Sequence, residues 1–99
     1  MALLLRAGGP HEDVRPANPK GFTLTELQTL VGGYIELAPA NDADFLLVID
    51  EEGKLKNKPV NEDATLLYKH GWHDSIVGDV LYMLRSEMDE EEGGDHDGN

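Results

Sequence analysis

An α+β domain with a four-stranded sheet and two helices is the fold this sequence predicts, and three observations carry it. Short apolar runs bounded by Gly, Pro and Asp recur along the chain, as strands do. Two segments, beginning at Thr23 and Asn61, open on residues that cap helices. The length of 99 residues suffices for one domain and not for two. The expected order is β-α-β-β-α-β over residues 1–88, with both helices on one face of the sheet. Residues 89–99 are expected to form a disordered acidic C-terminal tail.

The elements follow in order. Ala2 to Ala7 is an apolar run stopped by Gly8-Gly9-Pro10, which suits a buried strand. Residues 8–21 hold three prolines and read as a loop, with one extended piece around Val14. Thr23-Leu24-Thr25-Glu26 has the spacing of a capping box, and Leu24, Leu27, Leu30 and Val31 share one helical face. Gly32-Gly33 ends that helix. Tyr34 to Ala38 is β-prone and stops at Pro39, and Phe45 to Ile49 is a continuous apolar run of a strand buried on both faces. Asp50 to Gly53 is a turn, and Lys54 to Pro59 reads as a hairpin tip whose lysines guard against edge pairing. Asn61 caps a helix over Glu62–Lys69, which Gly71 closes. Ser75 to Arg85 mixes helical and strand signals; its Ile, Val and Tyr content and internal Gly78 favour a strand. Trp72 is expected in the core.

Charge excludes more than it assigns. There are 20 acids against 8 bases, a net of −12, but six of the acids lie after Met88, where there is no base. Residues 1–88 therefore carry −6. Direct nucleic-acid binding needs clustered Lys or Arg and is disfavoured. Zero cysteines exclude disulfides and thiolate zinc sites and fit a reducing compartment. The apolar start, interrupted by Arg6, is too short for a membrane span, so a cytoplasmic location is expected.

No catalytic residue, metal or cofactor is assigned. The chain has no phosphate-binding Gly-x-x-x-x-Gly-Lys and no Gly-x-Gly-x-x-Gly, and Gly32-Gly33 follows a helix rather than preceding one. His70, His73 and Asp74 lack a further cluster to complete zinc coordination. Adjacent His73-Asp74-Ser75 cannot converge as a triad, and no nucleophile elbow surrounds Ser75. Lys54, Lys56 and Lys58 form a patch able to bind one small anion.

Leu30-Val31-Gly32-Gly33-Tyr34-Ile35-Glu36, Asp50 to Leu55, Pro59-Val60-Asn61 with Ala64-Thr65, and Ile76 to Val80 together resemble a family of small uncharacterised phage and plasmid proteins, a domain of unknown function. The likeness spans roughly residues 22–84. It implies a phage or mobile-element origin and a non-catalytic accessory role, and it singles out Gly32, Gly33, Tyr34, Glu36, Asn61 and Gly78 as a shared feature. The expected function is therefore binding that counters host defence or redirects host machinery. One form sequesters a small nucleotide-type immune signal in a pocket of Gly32, Gly33, Tyr34, Lys54 and Lys56, with Glu36 and Asn61 beside it. Tyr34 would stack on the base, and the site would be shared in a homo-oligomer. The other form occludes a host or defence protein. Two alternatives remain: an acidic nucleic-acid mimic that inhibits a basic DNA- or RNA-binding protein, and a small hydrolase using carboxylates with His70 and His73.

Overall fold

The computed structural model describes residues 2–89. Among these residues five strands form one antiparallel sheet: β1 (Ala2–Leu5), β2 (Glu12–Val14), β3 (Ile35–Pro39), β4 (Phe45–Asp50) and β5 (Val80–Leu84). Their spatial order is β2-β1-β5-β4-β3. Two helices, α1 (Leu24–Val31) and α2 (Glu62–Leu67), and a 3-10 turn over Arg85–Glu87 complete the fold. The α+β class agrees with the sequence, but the sheet has five strands rather than four. The additional strand, β2, pairs Val14 with Ala2 and Glu12 with Leu4. Its one apolar residue and flanking Pro10 and Pro16 gave it no periodic signal.

The helices lie on opposite faces of the sheet, not on one. Alternation along β1, β4 and β5 divides their apolar residues between two clusters. Leu4, Val48, Leu81 and Met83 pack with Phe22, Leu27 and Val31 under α1. Leu5, Leu47 and Val80 pack with Ala64, Leu67 and Ile76 beneath α2. Leu47, Val48, Val80, Leu81 and Met83 are completely buried, each contributing about 2 kcal/mol of transfer free energy.

Local chemistry sets the helix ends. Thr23 accepts the Glu26 amide at 3.2 Å, the first half of a capping box. The reciprocal half is replaced, because Glu26 reaches back to the Ala17 amide at 3.0 Å and pins the proline-rich loop. Gly32 ends α1 in the left-handed conformation, its amide on Gln28 O. Helix α2 stops at Leu67, short of the expected Lys69. The last strand begins at Val80 rather than Ser75, since Gly78 turns the chain out of the extended conformation (φ 79°). Asp89, read from sequence as tail, is buried, and its amide bonds to Phe22 O at 3.0 Å. The rest of the expected tail lies outside the described residues.

Asn61 ties three segments together from a nearly inaccessible position. Its Oδ1 accepts the Ala64 amide at 3.1 Å as the cap of α2, while its Nδ2 donates to Leu5 O and Gly78 O, both at 2.8 Å. Asn61→Ala removes the cap and strands two buried carbonyls, so urea unfolding is expected to show a loss of about 3 kcal/mol. Asn61→Asp retains the cap acceptor but neither donor, and is expected to recover only the capping part.

Candidate functional site

Strand β4 ends in a carboxylate that the apolar run carries inward. Asp50 points to the α1 face, opposite Ile35, with its side chain 1% exposed. The following loop folds back on it through Lys56 N to Glu52 O and Lys58 N to Gly53 O, with Asn57 in the left-handed region. Lys56 and Lys58 thereby reach Asp50 Oδ2 at 2.8 and 2.7 Å, and the Glu52 amide donates to Oδ1 at 2.8 Å. The same ammonium groups continue to the C-terminus of α1: Lys58 Nζ donates to Val31 O at 3.0 Å and Lys56 Nζ to Gly32 O at 3.4 Å. Cations at a helix C-terminus meet its unsatisfied carbonyls and its dipole.

The lysines are thus not a hairpin tip, and the small anion that two of them bind is the chain's own Asp50. Burial pushes the Asp50 carboxyl upward, but hydrogen bonds from Lys56, Lys58 and the Glu52 amide outweigh it and lower its pKa from 3.8 to about 2. Gly33 is the residue this cluster demands. A Cβ there would lie 2.7 Å from Lys56 Nζ and 2.8 Å from Asp50 Oδ1. Gly-Gly in Leu-Val-Gly-Gly-Tyr therefore has two roles, one a helix cap and one a close approach.

The residues singled out from the sequence fall into three places. Gly33, Tyr34 and Lys56 share an open concavity of about 250 Å³ with Gln28 and Glu52, and Gly32 adjoins it at the end of α1. Tyr34 is well exposed there. Lys54 turns away to Asp74, whose carboxyl the Lys54 hydrogen bond lowers below its ordinary range. Lys54 and Glu36 instead line a groove of about 200 Å³ on the α2 side, between β3 and residues 68–77. Asn61 belongs to neither; it is buried in the frame. Sequence reasoning missed Asp50 as the partner of the lysines and Glu51 as a wall of the groove. A charge ending an unbroken apolar run was the available signal for Asp50.

The histidine segment is organised by ring contacts. His70 and His73 have ring centroids 5.7 Å apart, His70 meets Tyr68 edge-on, and His73 meets Trp72 edge-on at 4.1 Å. Trp72 is 83% exposed, not a core plug, because α2 ends early and residues 70–74 turn outward.

The Asp50 cluster yields a pH prediction. Its folded pKa lies below the unfolded value, so its stabilisation is present above about pH 4 and is lost as pH falls through about 2. Asp50→Asn is expected to cost about 3 kcal/mol near neutral pH, by removing the partner of two cations. The gap from wild type in urea unfolding should narrow by about 2 kcal/mol at the acid end. Gly33→Ala should cost about 1–2 kcal/mol, since buried Asp50 has little room to yield.

Neither the curated proteins nor the solved structures hold a match to this chain. A sequence profile described as a domain of unknown function (DUF3846) matches residues 2–95, a longer stretch than the resemblance read from the motifs. The match takes in every strand and both helices, and the chain belongs to the DUF3846 family.

Proposed function

We propose that this chain is a non-enzymatic accessory protein of phage or mobile-element origin that works in the host bacterial cytoplasm by occluding a partner protein. One contrast carries the reading. Lys54, Lys56 and Lys58, the cations a phosphate would need, are matched to Asp74 and Asp50, while Trp72, Leu55, Leu66 and Tyr34 stand 83, 83, 75 and 68% exposed. Binding a nucleotide beside Tyr34 would require Lys56 to leave Asp50, next to Glu52 in the same concavity. Exposed aromatic and aliphatic side chains on a charged surface are what protein interfaces are built from.

Affinity purification of the full chain from host cells is expected to retain a protein partner, and Trp72→Ala to weaken that complex roughly thirtyfold, as removal of an interface Trp does. Calorimetry against cyclic nucleotides and ADP-ribose is expected to show no heat of binding. Nucleotide binding that Lys56→Ala abolishes would replace occlusion by sequestration.

A further inference from the structure

Strand β3 is an edge that the described residues begin to cover and then leave open. The Glu51 amide donates to Tyr34 O at 2.8 Å, which makes Ile35 and Asp50 a non-hydrogen-bonded pair. Even-numbered residues of β3 therefore bond to β4, and the backbone groups of Ile35, Leu37 and Pro39 point outward. At the far end that outer side is used. Ala40 bridges Tyr68 antiparallel, with Lys69 N on Pro39 O at 2.9 Å and Asn41 N on Leu67 O at 2.8 Å. Residues 67–69 thus start a sixth strand and go no further. Among the described residues, nothing bonds to the outward N–H and C=O of Ile35 and Leu37.

The side chains along this edge define what fits it. Leu37 is 44% exposed. Glu36 faces the groove of about 200 Å³, whose walls include Glu51, Tyr68, Asp74 and Val77. Glu36 and Glu51 make no ion pair among the described residues, and Lys54 is matched to Asp74, so the groove is left with two uncompensated negative charges. Trp72, in the same 68–77 segment, presents an aromatic face suited to a cation. A second copy of the chain fits poorly, because β3 paired with β3 would bring Glu36 near its own equivalent on a protein of net charge −12.

We propose that the open edge of β3, from Ile35 to Leu37, takes an extended basic segment of a partner protein as an added strand, its cationic side chains lying over Glu36 and Glu51. The guest runs antiparallel to β3, in the direction residues 67–69 already take. Main-chain hydrogen bonds to Ile35 and Leu37 supply affinity, and the acidic groove selects Lys or Arg at alternate positions. This assignment rests on the occlusion reading and names the class of partner.

The test uses the full chain and synthetic peptides of about nine residues that alternate Lys or Arg with Val, Thr or Tyr. Micromolar binding is expected, with slowed hydrogen exchange at the Ile35 and Leu37 amides and loss of affinity between about 50 mM and about 300 mM salt. Peptides with Glu in place of the cations should not bind. Leu37→Pro removes an outward N–H that the β4 ladder does not use, so urea unfolding should show a folded protein, and its peptide binding should vanish. Glu36→Lys should weaken binding about tenfold. Failure of every basic peptide on wild type, or equal binding by folded Leu37→Pro, overturns the proposal. A partner protein lost on Trp72→Ala but held by Leu37→Pro overturns strand addition alone. Absence of any protein partner for wild type overturns the occlusion reading as well.

Discussion

One buried carboxylate organises this domain. Asp50 ends β4 inside the α1 layer, where an unpaired negative charge would be untenable. Its solution is local in sequence and tertiary in effect. Lys56 and Lys58, six and eight residues on, return to it and extend to the carbonyls of Val31 and Gly32. The strand end, the connecting loop and the end of α1 are thereby fixed as a unit. Replacing the cluster with apolar groups could be equally stable, as buried ion pairs generally permit. What the ions add is direction: both ammonium groups meet Oδ2 while each also reaches a carbonyl at the end of α1, contacts that apolar groups would not specify.

Asn61 plays the matching part on the other side of the sheet. It fixes the start of α2 against the end of β1 and the approach to β5, using three hydrogen bonds from one side chain. The two junctions bracket residues 50–61. The crossover from β4 to α2 is therefore anchored at both ends, although it contains no regular element. Exposed Leu55 sits at the middle of that crossover, presented by a loop that is held rather than loose.

What the sequence disclosed divides by the range of the interactions. The cap of α1 at Thr23, its stop at Gly32 and the cap of α2 at Asn61 depend on neighbours within four residues, and all were legible. The donors of Asn61 were not, since Leu5 is 56 residues away. The division of the helices between faces was implicit. A strand such as Phe45 to Ile49, apolar at every position, requires a covering layer on each side, which already contradicts two helices on one face. Strand β2 carried no such signal, because its pairing is decided by β1 next to it. Within the candidate site, Gly33, Tyr34 and Lys56 do converge, but Lys56 was read as available when the nearest carboxylate was Asp50.

The net charge acquires a different meaning once the edges are considered. A short, acidic β2 with prolines on both sides is poorly suited to pair with another chain. At β3, among the described residues, Pro39 and residues 67–69 give protection, and Ile35 to Leu37 stays open. Such an edge on a neutral protein would invite self-association. Here every copy carries −12, and Glu36 stands on the edge itself, so self-pairing is opposed both at long range and at the point of contact. The same charges attract a basic chain. Acidity that opposes self-pairing at this edge is thus the same property that, in the proposed complex, favours a strand of opposite charge.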